Sequence, residues 1–450
     1  MQLRLATSVL GSIFSTRQDH AQSESPSLRL RSVALTMVLL VAVALTAFAA
    51  GDSPNNPNTE QPVAENWVGS WATGPAGPSG AAKQYSNQTL RLIVHTSVGG
   101  NAVRIKISNT FGSDPLLIGA AHIALRAQAA SIVAATDHPV TFSGKASFTI
   151  PAGGLIISDP VSLQVAPLSD LAVSIYLPTT ATASTTHLLA LQTSYIANGA
   201  GDFTGALNLP DAATTTSWDF LTGVDVAEQS SGGTIVALGD SITDGANSTI
   251  DTNQRWPSLL AARLQDGKSL NQFGVLDEGI IGNRILHPTE TTFGNLFGPS
   301  ALARFDRDVL GQAGVKYVIV LLGINDIGHP GGSAPDSEKV SADEIISGHL
   351  QLIARAHEKG LKIYGCTLLP FEDTTLKNFY SPEKDKLRQA VNEWMRTSGA
   401  YDAVIDFDKV VRDPDHPSRF LPMYDGGDHL HPSDAGQKAM ANAIDLDLFR

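Results

Sequence analysis

The sequence predicts two folded parts: a β-sandwich followed by an α/β domain built on a doubly wound parallel sheet. Three observations carry that reading. From about Trp67 to Gln192 the chain is a series of short apolar or alternating runs separated by turn signals, with almost no helical period. From Ile235 onward, short apolar runs alternate with segments of helical period. At 450 residues the chain is also too long for one ordinary core. The resulting division is a secretory signal at 1–50, a polar linker at 51–64, the β-sandwich at 65–230 and the α/β domain at 231–450.

At the amino end, Arg29 and Arg31 precede the apolar run Val33–Ala50, which closes as Ala47-Phe48-Ala49-Ala50. A basic flank, a hydrophobic middle and a small-x-small exit describe a signal cut near Ala49 or Ala50, giving a secreted or periplasmic protein. An uncleaved N-terminal anchor is the competing reading, and the only route to a membrane. Gly51–Pro62 is polar and Pro-rich, a composition expected to stay disordered.

In the β-rich part, Thr89–Ser97 and Asn101–Asn109 flank Val98-Gly99-Gly100, which predicts a hairpin. Val103, Ile105 and Ile107 alternate with Arg104, Lys106 and Ser108, the period of a strand with one buried face. Further strands are expected at Leu116–Arg126, Val140–Phe142, Ala146–Ile150, Leu155–Ser158, Val161–Val165, Leu171–Leu177 and Leu188–Ser194. In the α/β part the strands are Ile235–Leu238, Gly274–Glu278, Val315–Leu322, Leu361–Leu369 and Ala403–Phe407. Helices are expected at Trp256–Leu264, Leu302–Leu310, Ala342–His357, Glu383–Met395 and Ser433–Leu446. Ser341 and Glu344 stand at capping-box spacing before the third of these. His349 shares that helix's apolar stripe with Ile345, Leu352 and Ile353, and reads as a core histidine.

Composition excludes several classes. The net charge is −13 and no dense Lys/Arg stripe occurs, which argues against a nucleic-acid partner. A single cysteine, Cys366, lies inside an apolar run, so it reads as a core residue. One cysteine also rules out an intrachain disulfide framework and a Cys-rich metal site.

The chemistry begins at Gly239-Asp240-Ser241-Ile242-Thr243-Asp244-Gly245, directly after the apolar run Thr234–Leu238. A serine at the carboxyl end of a buried strand sits where open α/β sheets build their active sites. Taken alone, the same residues suit a helix N-cap equally well. Three further groups follow in order: Gly282-Asn283, Gly323-Ile324-Asn325-Asp326 and Asp428-His429-Leu430-His431. Over residues 233–447 these blocks resemble the SGNH hydrolases, also called the GDSL esterase/lipase family, matching at Ser241, Gly282, Asn325 and His431. The upstream half, opening Trp67-Val68-Gly69-Ser70-Trp71-Ala72, resembles the β-rich extension of some secreted members. The resemblance implies a flavodoxin-like sheet and a Ser241, Asp428, His431 catalytic set. It also implies oxyanion donors from the backbone of Ser241 and Gly282 and the side chain of Asn325.

The residue types suit those roles. A neutral serine hydroxyl is a poor nucleophile without an adjacent base, and an imidazole can take and return its proton near neutral pH. Asp428, three residues before His431, can fix the tautomer and stabilise the imidazolium. His429 would face the other way in an extended segment, so the base role goes to His431 on the family pattern and this spacing. Three backbone or amide donors would hold the oxyanion of the tetrahedral intermediate. Asp240, Thr243, Asp244 and Asp326 read as loop-holding residues, and Arg284 either lines the cleft or pairs with an acid. Loops 328–340 and 371–381 are expected to rim the pocket.

The expected activity is hydrolysis of carboxylic esters, short-chain acyl or acetyl, on a small molecule or polysaccharide, with no metal and no organic cofactor. A lysophospholipase-like activity is the alternative. A metal-dependent hydrolase would use His416, Asp425, Asp428, His429 and His431, but leaves Ser241, Gly282 and Asn325 without a role. A non-catalytic glycan-binding protein would not need the complete set. The absence of a Gly-x-Ser-x-Gly elbow argues against an α/β-hydrolase lipase.

Overall fold

Residues 66–228, 232–267, 269–288 and 295–450 are described by the structure, a computed structural model. The expected signal and linker lie outside the described residues. No helix among the described residues is long and apolar enough to cross a membrane.

The strands between Asn66 and Glu228 form antiparallel sheets. A four-stranded sheet runs in the order Asn66–Ala72, Leu221–Glu228, Val103–Ser108, Leu155–Ile157. The largest sheet is centred on Gln88–His95, Asp170–Leu177 and Ala120–Gln128. Val103, Ile105 and Ile107 from one sheet share a buried cluster with Leu90, Leu92, Leu171, Val173 and Ile175 from the other. That is the inner layer of a sandwich.

Several local expectations change. No hairpin forms at Val98-Gly99-Gly100, because the strands on either side belong to different sheets. Gly100 instead exchanges backbone hydrogen bonds with Val165, at 3.0 and 2.9 Å, as the chain crosses between layers. Leu116–Arg126 is broken at Gly119, where a Cβ would press on Tyr176 and Pro178. Val161–Val165 makes isolated bridges only, and Leu188–Ser194 gives way to Thr186–His187 and Ser194–Ile196. The strand Leu221–Glu228 escaped the sequence reading, although it is the central partner of the four-stranded sheet. Its apolar residues are interrupted by Thr222, Gly223 and Asp225, which hides the period.

In the α/β part all five expected strands form one parallel sheet, ordered Phe273–Gly279, Gly233–Gly239, Val315–Leu321, Lys362–Cys366, Ala403–Ile405. In chain order this is 2-1-3-4-5, the flavodoxin-like arrangement, whose switch point lies at the carboxyl ends of its first and third strands. Trp256–Asp266 packs with Asp434–Ala443, while Ala342–Glu358 packs with Ala301–Phe305 and Pro382–Thr397. The helix expected at Leu302–Leu310 is α-helical only to Phe305 and continues as a π-turn through Leu310. Short helices at Ile324–Gly328 and Phe407–Val411 fell below the length at which periodicity can be read.

The first strand of the sandwich packs on the edge strand of the parallel sheet. Gly69 donates to Thr234 Oγ1 at 2.9 Å and to the Ala313 carbonyl at 3.1 Å. Ser97 Oγ accepts from the backbone of Val275 at 2.9 Å, occupying a donor on the open side of the edge strand. Gly274 allows this approach, since a Cβ there would lie 2.0 Å from the Gly69 carbonyl oxygen.

Cys366 and His349 are both fully buried, as core residues. Burial pushes the Cys366 thiol well up and holds the His349 imidazole down near a pKa of about 3. The capping box forms at Ser341 and Glu344. Ser341→Ala should lower unfolding free energy by about 1 kcal/mol, read as a reduced denaturant midpoint with the slope unchanged.

Candidate active site

Three of the four sequence blocks lie beyond the ends of adjacent parallel strands. Gly239 pairs in register with Gly279 on one side and Leu321 on the other. The turns that follow these residues carry Ser241, Gly282 and Asn325. Gly239 is required here because a Cβ would lie 2.0 Å from Thr243 Oγ1. The serine turn is closed by backbone bonds from Asp244 to Asp240 at 2.9 Å and from Ala246 to Ser241 at 2.8 Å.

The fourth block arrives from the opposite end of the domain. Gly426 donates to the His431 carbonyl at 2.8 Å, folding the segment before the last helix back on itself. From that helix, Gln437 donates to the Ile242 carbonyl at 3.1 Å and accepts from the backbone of Trp256 at 2.9 Å. One buried amide thus ties the histidine loop to the serine turn.

The side chains meet in a continuous relay. Ser241 Oγ lies 2.7 Å from His431 Nε2, and His431 Nδ1 lies 2.6 Å from Asp428 Oδ2. Asp428 Oδ1 also accepts from the backbones of His431 at 2.9 Å and Leu430 at 3.1 Å. Partial burial works against the Asp428 charge, but the hydrogen bonds and charge from His431 outweigh it and hold the carboxyl well below its ordinary range. An ionised carboxylate on Nδ1 leaves Nε2 free to accept the serine proton. His429, with a φ of +58°, turns aside and pairs with Asp425 through its own Nδ1.

Gly282 has a φ of +69°, and a Cβ there would lie 2.3 Å from the Phe297 ring. Both features demand glycine. Asn325 Nδ2 sits 3.2 Å from Asp240 Oδ2 and 3.1 Å from the Asn283 carbonyl. Its two amide hydrogens therefore point at protein acceptors, and donation to an oxyanion requires sharing one of them. Asp240 is fully buried and also accepts from Ile242 at 3.0 Å. Burial pushes its carboxyl up to about 7 against that hydrogen bond and the nearby His431 charge.

Most neighbouring polar residues hold loops. Asp326 accepts from Ile285 at 2.8 Å and Leu286 at 3.0 Å. Asp244 pairs with His187 of the β-rich region at 3.0 Å. Thr243 differs from expectation: its hydroxyl has no hydrogen-bond partner among the described residues, and the side chain packs against Gly239 instead. Arg284 pairs with an acid, Glu338, at 2.5 Å, and donates to the Pro288 carbonyl. The two rim loops line a cavity of about 390 Å³ with Phe297, His329, Leu376 and Phe379 among its walls. His329 stacks on Phe297 with ring centroids 4.9 Å apart. Burial chiefly, aided by the Arg284 charge, lowers the His329 imidazole to about 4, keeping it neutral.

Arg304 was missed by the sequence reading. Its buried guanidinium donates to the carbonyls of Gly239 and Glu278, both at 2.8 Å, and to Asn283 Oδ1 at 3.0 Å. It therefore joins the ends of two strands to the turn after Gly282. A signal existed: Arg304 and Asp308 occupy the same helical stripe as Ala301 and Phe305, an i,i+4 ion pair on an otherwise apolar face.

Residues 237–439 match the model of the GDSL-like lipase/acylhydrolase family. This segment is a GDSL-like acylhydrolase domain. The protein is accordingly a carboxylic ester hydrolase. Among solved structures, a lipolytic protein of the G-D-S-L family from Desulfitobacterium hafniense is 20% identical; the match covers 47% of this chain and 96% of that one, with a TM-score of 0.34. A GDSL-like lipase from Bacteroides thetaiotaomicron is 18% identical over 47% of this chain and 85% of that one, at a TM-score of 0.34. A catalytic mutant of an acetylxylan esterase from Geobacillus stearothermophilus is 19% identical over 47% and 91%, at 0.35. No curated protein matches the chain.

Two measurements probe the acylhydrolase site. Gly282→Ala must either leave the positive φ or displace Phe297, so turnover of a chromogenic ester should fall by ~10² or more, with the far-ultraviolet spectrum retained. Asp240 titrates near 7 when folded, above the ordinary carboxylate value of about 3.9. The native state thus holds the extra proton between those limits, and this contribution to stability is lost as pH rises from about 4 through 7. Thermal scans across that range should show it, and Asp240→Asn should flatten the slope.

Proposed function

We propose that this protein is an exported serine esterase that hydrolyses short-chain acyl or acetyl esters, including esters carried on polysaccharide, through an acyl-enzyme. The observation that supports this reading best is the unbroken relay from Ser241 through His431 to Asp428. Ser241 Oγ attacks the ester carbonyl carbon while its proton passes to His431 Nε2. The carbonyl oxygen becomes an oxyanion, received by the backbone N–H groups of Ser241 and Gly282 and the amide of Asn325. The C–O bond to the alcohol then breaks, and His431 returns its proton to the departing oxygen. A water repeats the sequence on the acyl-enzyme, releasing the acid and restoring Ser241. Each step uses only protein groups and water.

Export rests on the basic flank and apolar run of the first fifty residues. The preference for short or acetyl esters rests on export, the acidic and polar composition, the added β-region and the lack of a long apolar lid in the loop sequences. One observation favours a second reading. The cavity of about 390 Å³ walled in part by Phe297, Leu376 and Phe379 exceeds the needs of an acetyl group; neither Ser241 nor His431 lines it, and it adjoins the site at Phe297, whose ring lies against Gly282. A longer acyl chain, as in a lysophospholipid, would use that surface.

Ser241→Ala and His431→Ala should each reduce turnover by ~10⁴ or more with an unchanged thermal transition, and Asp428→Asn by the same or less. Retained turnover in His431→Ala, with loss in His429→Ala, would reassign the base. Rates on esters from acetyl to palmitoyl, beside acetylated xylan, separate the two substrate readings: a maximum at acetyl supports the first, and one beyond eight carbons the second.

A further inference from the structure

We propose that the β-rich region takes part in catalysis through His187, a positioning residue that holds the Ser241 turn in register by gripping Asp244. This rests on the assignment of Ser241 as nucleophile.

The backbone of His187 is fixed entirely within the β-rich region. Thr186 and His187 pair with Asp219 and Trp218, and Thr186 exchanges backbone hydrogen bonds with Ala76 at 2.8 and 3.0 Å. The side chain leaves that region. Its Nδ1 lies 2.9 Å from the Gly74 carbonyl, and its Nε2 lies 3.0 Å from Asp244 Oδ1. Both ring nitrogens face acceptors, so the bridge is complete only when the ring carries two protons. Burial opposes that charge, but Asp244 and the Gly74 carbonyl outweigh it and raise the imidazole above its ordinary value, with Arg255 acting in the opposite sense.

Asp244 is three residues beyond Ser241 in the same tight turn and is 1% exposed. The turn cannot retreat on its other side. A Cβ on Gly279 would lie 2.5 Å from the Asp244 nitrogen and 2.9 Å from the Asp240 carbonyl oxygen, so backbone meets backbone there. The turn is therefore held between Gly279 of the parallel sheet and His187 of the sandwich. Arg255 makes the reciprocal crossing from the α/β side. Its Nη1 lies 3.5 Å from Asp244 and 3.3 Å from Asp277, while Nη2 donates to the Ala190 carbonyl at 2.6 Å. Asp251, further along the same loop, accepts from Thr193 and Gln192 of the β-rich region at 2.6 and 2.7 Å.

Without His187, the buried Asp244 carboxylate keeps, among the described residues, only a long contact to Arg255 at 3.5 Å. A buried, under-satisfied carboxylate seeks water or a new partner, and the turn moves with it. Small displacements of a nucleophile from its base are costly, up to ~10² in rate for about 1 Å.

The test uses the full chain and p-nitrophenyl acetate. His187→Ala and Asp244→Ala should each lower kcat by about 10- to 100-fold, with KM changed less than about two-fold. The double variant should be no worse than the poorer single one, because the two side chains act through one contact. His187→Gln, which returns an N–H toward Asp244, should recover most of kcat. Should His187→Ala fail to fold, Asp244→Ala and His187→Gln carry the test. Folded variants with wild-type kcat, a loss confined to KM, or additive losses in the double variant would overturn the proposal. Undiminished hydrolysis in Ser241→Ala would instead overturn the nucleophile assignment on which it rests.

Discussion

The hydrogen bond between Ser241 and His431 spans 190 residues of chain, and the geometry of the site depends on it. Neither residue can meet the other locally. Ser241 is delivered by the end of a central parallel strand and His431 by a loop before the last helix. The bond forms because the parallel register brings Gly239, Gly279 and Leu321 level, and because Gln437 anchors the last helix to the serine turn. In an open parallel sheet, the carboxyl ends at the switch point are where connections diverge and leave room for a ligand. Topology thus assigns the place, and side chains on separate turns fill it.

Buried charge fixes those turns. Arg304 donates to two strand-end carbonyls and to Asn283, which in turn accepts the Asn325 amide on its backbone. Asp326 holds the chain after Gly282 through two backbone donors. A charge removed from water is costly unless its hydrogen-bonding capacity is largely met, and meeting it narrows the geometries open to each turn. The conformational entropy of the loops is surrendered on folding, before any ester arrives. Such ordering is what the proposed oxyanion donors require, although Asn325 must still share one committed hydrogen.

The sandwich does more than extend the chain. Its first strand and Ser97 cover the edge of the parallel sheet, so that edge offers fewer free donors to another strand. Glycine at 69 and 274 lets the two backbones come into contact. The same interface brings His187 and Arg255 past each other into opposite sides, where they share Asp244. A contact that covers an edge at one end therefore reaches the Ser241 turn at the other.

Much of this was legible in the sequence. The five parallel strands and the longer helices follow from period and length, because each buries a continuous apolar face that leaves its mark at fixed spacing. Ser241, Gly282, Asn325, Asp428 and His431 could be named because the four blocks that carry them, in order, resemble those of the SGNH hydrolases. The hairpin at Val98-Gly99-Gly100 could not be judged, since alternation shows that a strand has a buried face but not which sheet supplies its partner. Leu221–Glu228 was hidden because it packs on both sides and lacks a clean period. The strand-end contacts of Arg304, the contact of His187 with Asp244 and the committed hydrogens of Asn325 are decided by tertiary structure alone. Their partners lie tens to more than a hundred residues away, and no local pattern encodes a hydrogen bond between distant segments. The sequence determined which elements form and which chemistry they carry; the packed fold decided which charges meet, because only there does loss of water make an unpaired polar group costly.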